Sequence, residues 1–364
     1  MLLRRLNMSN LRSRESLSVD IGPGINILVG PNGAGKTTVL EAAVLALDGE
    51  QLRTGTLRDL ITHHKDHLRV ELDLEEDGVP IAVAAAYSRD GERRLTTDGL
   101  ALPDCSRWRE AIPIRTFVPD DLRLIKGSPR RRRAYLDTLA GRRDPKYAAI
   151  LKQYDEALAQ RNTLLRVTRG DGDDAQFGPW EKISAETGLA VCERRAAALG
   201  GFIHAFQEMH RELTSEPVDT FHLVYRTNAA GLDPESYQAR LAETRSADRQ
   251  RTFTHLGPHR DDFRLLRAGL DMRDCASQGE QRAALLTLVL AEWDYLRTTG
   301  PPPLLLLDDV MSELDESRRR ALLKIIGRGG QVIVTATDLR YFSQEELGTA
   351  CVVELSQGDQ ADGA

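Results

Sequence analysis

Apolar and polar side chains alternate over residues 1–11 and 16–21, the period-two pattern of half-buried strands. Gly22-Pro23-Gly24 turns the chain into Ile25-Asn26-Ile27-Leu28-Val29, a short apolar run that predicts a buried strand. Residues 38–45 predict a helix, and Gly49 ends it. Residues 68–73, 81–87 and 93–97 read as strands, with turn signals at Glu76-Asp77-Gly78 and Arg89-Asp90-Gly91. Together they predict an antiparallel meander beside the first strand–helix unit.

The pattern changes after Phe117-Val118-Pro119. A helix starts at Pro129 with Ser128 as N-cap, and Gly141 and Pro145 are expected to break it. A second helix over 145–168 carries Tyr147, Leu151, Tyr154, Leu158 and Leu165, a seam of coiled-coil type. A polar loop at 170–174 precedes helical pattern over 180–213, with Val191, Ala198, Phe202, Ala205 and Met209 at similar spacing. Two antiparallel helices forming an arm fit this pattern, and so does a compact helical bundle. A strand at 221–225, a helix at 233–251 and a strand at 263–266 follow. Ser277-Gln278-Gly279-Glu280-Gln281 heads a long helix to Leu296, which Pro301-Pro302-Pro303 breaks. Leu304–Leu307 is a buried strand, 316–327 a helix, and 331–335 and 351–355 are strands. The expected division is 1–118 as the N-terminal part of a head, 119–256 as a helical lobe, 257–355 as the C-terminal part, and 356–364 as a disordered tail.

Net charge is −6, so polyanion binding would need a local basic patch. Cys105, Cys192, Cys275 and Cys351 stand singly with no C-x-x-C spacing, which suggests neither a zinc site nor a disulfide framework. The apolar runs are too short to cross a bilayer, and Met1-Leu2-Leu3-Arg4-Arg5 lacks a signal-peptide core. The expectation is a cytoplasmic protein without membrane partners.

Candidate chemistry begins at Gly30-Pro31-Asn32-Gly33-Ala34-Gly35-Lys36-Thr37, which fits G-x-x-x-x-G-K-[ST] between a strand and a helix. Glycines let successive N–H groups turn inward around phosphate oxygens, and the helix start at Thr38 adds unpaired N–H groups. Lys36 is expected on the outer phosphates of ATP, and the Thr37 hydroxyl on Mg²⁺. The second element is Leu304–Leu307 followed by Asp308-Asp309, which sets carboxylates at the end of a buried strand. Asp308 is the expected second Mg²⁺ ligand, and Asp309 the group that orients the attacking water. Ser277-Gln278-Gly279 is either a plain helix cap or a γ-phosphate site at a helix N-terminus. Lys126 and Arg130, Arg131, Arg132 and Arg133 form the best basic patch, with Arg142 and Arg143 nearby. Phosphate contacts there would give sequence-independent DNA binding, while a solvated or ion-paired helix start is the alternative. His63, His64 and His67 lie close together, and a solvated loop explains them better than metal ligation.

The order of phosphate loop, long insertion, S-x-G-x-Q helix, Asp-Asp strand, Ser312-Glu313-Leu314-Asp315 and a final buried strand resembles the ABC ATPases, and more closely the split heads of SMC-type proteins. Asn10-Leu11-Arg12-Ser13, Pro119-Asp120-Asp121-Leu122, Lys126-Gly127-Ser128-Pro129 and Gly257-Pro258-His259-Arg260-Asp261-Asp262 narrow the resemblance to the RecF family of bacterial recombination proteins. It implies an α/β P-loop ABC/SMC-like ATPase head with an antiparallel β meander and an inserted helical lobe. It also implies an ATP-dependent homodimer in which Ser277, Gln278 and Gly279 of one copy cap the nucleotide held by the other, with Asp315 in the loop at the dimer interface. DNA at gaps and junctions, RecR and RecO as partners, RecA loading, and a weak DNA-stimulated ATPase are further implications. ABC enzymes usually carry histidine where this chain has Thr337, which points to slow turnover. A transporter ATPase, a non-enzymatic ATP-gated scaffold and a small-molecule kinase are the rival readings.

Overall fold

The computed structural model describes residues 1–53, 55–119, 122–167, 174–217 and 220–356. Most of the expected 170–174 loop and the 357–364 tail lie outside them. The chain forms two compact units. The first comprises Met1–Asp121, Met209–Glu216 and Arg282–Ala364, and the second Leu122–Glu208 and Pro217–Gln281. Among the described residues, no helix is long and apolar enough to cross a membrane.

Two sheets build the first unit. The antiparallel sheet runs in the order Arg14–Asp20, Leu2–Leu11, His67–Glu76, Val79–Ser88, Arg93–Thr97, Leu100–Leu102. The meander and the N-terminal hairpin are therefore one continuous sheet. The parallel sheet runs Cys351–Glu354, Ile25–Val29, Val332–Ala336, Leu304–Leu307, Ile114–Phe117. The helix Lys36–Leu47 is buried along nearly its whole length, with only Thr37 outside the buried set. Beyond its first turn, and apart from Glu41, which pairs with Arg12 at 2.6 Å, this helix is apolar on all sides, as an enclosed helix is. It shares one apolar core with Leu3, Leu6, Leu72 and Ala85 of the first sheet and Leu28, Ile333 and Leu306 of the second.

The strand Ile114–Phe117 was not anticipated. Arg115 interrupts its apolar pattern, and the structure neutralises that charge by placing Glu292 Oε1 3.1 Å away. Burial pushes the Glu292 carboxyl upward, and Arg115 opposes the shift.

In the second unit, Pro129–Arg143 begins where expected, but Ser128 makes no side-chain capping bond. Gly141 does not break this helix. A mid-helix glycine costs only about 1 kcal/mol, and burial of Leu136, Leu139 and Ala140 holds the helix together to Arg143. Asp144 then leaves the helical region, as a residue before proline tends to.

Tyr147–Val167 and Gly178–Thr214 are single helices. They run antiparallel: Arg195 Nε lies 3.1 Å from the Tyr147 hydroxyl, a Cβ at Gly188 would lie 3.1 Å from the Tyr154 ring, and Arg161 Nε lies 3.2 Å from Glu181. The buried seam of the first helix is Tyr147, Tyr154, Ala157, Arg161 and Leu165. Leu151 and Leu158 are only half-buried, and the buried arginine takes the inner position.

The pair is not isolated within its unit. Pro234–Glu243 and Arg245–Arg251 form two helices, divided at Thr244, rather than one. Arg161 reaches both, through Leu241 O at 2.7 Å and Asp248 Oδ2 at 2.8 Å. Residues 257–281, expected with the head, pack in this unit. Asp262–Arg267 pairs with Phe221–Arg226, and Asp262 holds Arg132 at 2.6 and 2.9 Å.

Candidate nucleotide site

The loop between Ile25–Val29 and Lys36–Leu47 is shaped by its glycines. Gly33 and Gly35 have φ of 83° and 86°, which glycine adopts without strain. A Cβ at Gly35 would also sit 2.9 Å from Arg14 Nε, and one at Gly30 would collide with the Leu355 carbonyl. The loop is thus closely backed by protein behind and open in front. In front lies a cavity of about 350 Å³, lined by Asn32, Gly33, Gly35, Lys36, Thr37 and Thr38. Ser13, Arg53, Val118, Pro119, Asp308, Asp309, Glu313 and Thr335 complete the wall, and all fourteen residues belong to the first unit.

The parallel sheet brings the two distant acidic residues to this loop. The Thr37 hydroxyl lies 2.8 and 3.0 Å from the two oxygens of Asp308. Thr335 fixes both carboxylate-bearing residues: its hydroxyl donates to Asp308 Oδ1 at 2.9 Å and accepts the Asp309 N–H at 2.8 Å. Asp309 adopts φ 44°, and its carbonyl accepts from the Ser312 hydroxyl at 2.9 Å. That turn leaves Asp309 Oδ1 buried without a hydrogen-bond partner. An orphaned carboxylate oxygen on a polar cavity wall fits a site that receives a water or a donor from a ligand. The Thr37–Asp308 pair supplies the hard oxygen donors that Mg²⁺ prefers.

Lys36 is largely buried, and its Nζ donates to Gly30 O at 2.7 Å and Pro31 O at 3.0 Å. Burial lowers its pKa, and Asp309 and Asp308 oppose that shift. Two contributors were missed from sequence. Arg53 reaches Asp308 Oδ2 at 3.1 Å and Thr37 Oγ1 at 3.4 Å, from a loop with no recognisable pattern. Thr335 did carry a signal, as a polar residue in the fully buried strand Val332–Ala336. Thr337 follows that strand and is not in the cavity wall.

Ser277, Gln278 and Gly279 are exposed, and space around Gly279 is open. Ser277 is a helix cap, closed by Glu280. The Ser277 N–H donates to Glu280 Oε2 at 2.7 Å, and the Glu280 N–H donates to Ser277 Oγ at 3.3 Å. These bonds hold the Glu280 carboxyl below its usual range. Gln281 is buried and ties Met272 O and Ala276 O at 2.9 and 3.1 Å. Asp315 caps the helix Glu316–Ile326 by accepting the Arg318 N–H at 2.9 Å.

The basic patch divides. Lys126, Arg130 and Arg131 are exposed. Arg132 is corrected to a structural residue: it is 3 % exposed and donates to Asp262, Ile125 O and Gly127 O. Arg133 is half-buried, donates to Asp261 O at 3.0 Å, and has its pKa lowered chiefly by burial. His63 and His64 meet edge to face at 4.0 Å. Among the described residues, no group of three or more His, Cys, Asp or Glu is arranged to hold a metal.

The family model described as the RecF/RecN/SMC N terminal domain matches residues 2–354. A DNA replication and repair protein RecF of Heliobacterium modesticaldum is 33% identical over 98% of each chain. One of Symbiobacterium thermophilum is 35% identical over 93% of this chain and 92% of its own. A solved structure described as the recombination mediator protein RecF with ATP in the RecFOR pathway superposes with a TM-score of 0.82, at 28% identity over 97% of this chain and 95% of that one. An SMC head bound to the C-winged helix domain of ScpA shares the fold, with a TM-score of 0.57 at 16% identity over 99% of this chain and 95% of that one.

Proposed function

The chain belongs to the RecF family, within the RecF/RecN/SMC group of ATPases, and from that membership we propose an ATP-gated DNA clamp of recombinational repair. The observation that carries the proposal is the meeting of Thr37, Asp308 and the unpartnered Asp309 oxygen on one cavity wall. In this reading Gly30 to Thr38 cradle the phosphates of ATP, with Lys36 leaving its two carbonyl partners for the outer phosphates. Thr37 and Asp308 hold Mg²⁺, which when bound neutralises charge on the phosphate oxygens. Asp309 accepts a hydrogen bond from the attacking water and orients it, while Thr335 holds the Asp309 backbone in place.

The cavity is lined from the first unit. The capping bonds use the Ser277 N–H and hydroxyl and leave Gln278 and Gly279 exposed beside it. From the family membership we assign the closing donors to a second copy: Ser277, Gln278 and Gly279 of each protomer close the other's pocket, with Asp315 near the junction. A two-fold arrangement completes both sites at once. Without the usual histidine at Thr337, hydrolysis is slow and resets the dimer. The dimer holds duplex DNA near gaps or junctions through Lys126, Arg130 and Arg131, with Arg133 at the margin, and cooperates with RecR and RecO in loading RecA. DNA stimulates the weak ATPase, and the site of action is the cytoplasm.

Ser277→Arg tests the shared pocket. It is expected to keep ATP binding and to lose ATP-dependent dimerisation in sedimentation velocity. Normal dimerisation of this variant would end the shared-pocket reading.

A further inference from the structure

The second unit carries an ordered ladder of flat side chains at its surface. The Phe253 ring lies 4.4 Å from the His255 ring at an interplanar angle of 31°, and the Arg260 guanidinium lies over Phe253 at 4.7 Å. Phe253 is 39% exposed and Arg260 is exposed. An exposed phenylalanine alone would need no explanation. This one sits on a fixed base. Thr254 is buried and bonded through its N–H and hydroxyl to Asn162 at 2.9 and 2.8 Å. Asp248 Oδ1 holds His255 Nδ1 at 2.8 Å, and Asn228 holds the His255 carbonyl at 2.9 Å.

The surrounding charge is lopsided. Asp261 and Asp262 turn to Arg195 and Arg132, and Asp248 is shared between Arg161 and His255. Among the described residues, no carboxylate pairs with Arg251 or Arg260. The loop presents stacked planes and Arg260, and Arg251 ends the helix before it, both without an ion pair among the described residues on a chain whose net charge is −6. A protein partner would recognise the aromatic, but the excess positive charge favours a polyanion whose units are also flat. Single-stranded nucleic acid has both properties, because bases stack on aromatic and guanidinium planes while phosphates pair with arginine.

We propose that Arg260, backed by Phe253, is a stacking seat for an unpaired DNA base, with Arg251 on the adjoining phosphate. This rests on the DNA-binding reading above and adds to it a contact that only unpaired DNA can make.

The test compares full-length protein on a blunt duplex and on the same duplex with a single-stranded extension carrying a fluorescent adenine analogue. Wild type binds both and quenches the analogue. Arg260→Ala is expected to lose the quench and to bind the extended duplex about tenfold more weakly, with blunt-duplex binding unchanged. Arg260→Lys keeps the charge but not the plane, so it loses the quench as well. Phe253→Leu gives a smaller loss, and a melting curve for each variant confirms that the unit folds. An equal fall on both DNAs, or full quenching by Arg260→Lys, overturns the stacking seat. Unchanged binding to both by Arg260→Ala makes the ladder a protein contact and also overturns it. Wild type that binds neither DNA removes the DNA reading itself, a result distinct from the others.

Discussion

The nucleotide pocket and the buried polar net of the second unit use the same residue types in opposite ways. In the pocket, charges are partly paired and face open space: Lys36 rests on backbone carbonyls, and one Asp309 oxygen has no partner. In the net, charges are sealed, and each guanidinium nitrogen of Arg161 is bonded. Arg161 is 0% exposed and donates to Glu181, Asp248, Thr254 and Leu241 O, while Arg245 closes the outer side of Glu181. The difference separates a site from a scaffold. A buried ion that has every bond it can make has nothing left for a ligand, whereas an incompletely bonded group against a cavity is held ready for one.

The sharpest way to break this comparison is to remove the central cation of the net. Arg161→Leu leaves Asp248 and Glu181 buried without the cation between them, with only His255 remaining on the first and Arg245 on the second. Removing one side of a buried ion pair costs about 3–5 kcal/mol. Urea denaturation is expected to show that loss, with ATP affinity of the remaining folded protein near normal. A stability change under about 1 kcal/mol would mean the net is not sealed. Asp309→Asn is the converse. It keeps the volume and the backbone bond to Thr335 but weakens the acceptor, so single-turnover hydrolysis should fall about 10²-fold or more. ATP affinity and the melting temperature should stay near wild type. Normal turnover would remove Asp309 from the chemistry and favour a non-enzymatic, ATP-gated scaffold.

The two regions were unequally legible in the sequence, for the same physical reason. The phosphate loop is a local motif: residues within eight positions supply the turn, the cradle and the lysine. The strand Leu304–Leu307 announces itself by four consecutive leucines ending in Asp308. By contrast, Arg161 finds Glu181, Asp248 and Thr254 at separations of 20, 87 and 93 residues. No periodicity reports such pairings, so a charged residue in a helical seam reads as a solvent position. Arg132 misleads in the same way, since its partner Asp262 is 130 residues away. Arg115 hid an edge strand of the parallel sheet because Glu292 is more remote still. What sequence displays well is chemistry built from neighbours. The interior of the lobe is built from strangers.

The Gly257-Pro258-His259-Arg260-Asp261-Asp262 stretch gives the smallest and most discriminating test. His259 Nε2 lies 2.9 Å from the Thr254 carbonyl, so that nitrogen must carry the proton and donate. Nδ1, 2.5 Å from the Tyr154 hydroxyl, is then the acceptor. Protonating Nδ1 would remove the acceptor that the Tyr154 hydroxyl uses and add a charge to a buried ring. Burial, reinforced by Arg260 and Arg133 and opposed by the Thr254 bond, pushes the His259 pKa down to about 4. An unfolded histidine titrates near 6.5. Between these values the unfolded chain binds the extra proton and the folded chain does not, so stability falls as pH drops through that window. The loss amounts to about 2 kcal/mol between pH 7 and pH 5. In His259→Gln, whose amide can donate to Thr254 and accept from Tyr154 without titrating, this part of the slope should vanish. Denaturant melts of both proteins at the two pH values measure the difference. If the variant keeps the full acid slope, protons enter the lobe elsewhere, and this stretch is not part of the sealed net.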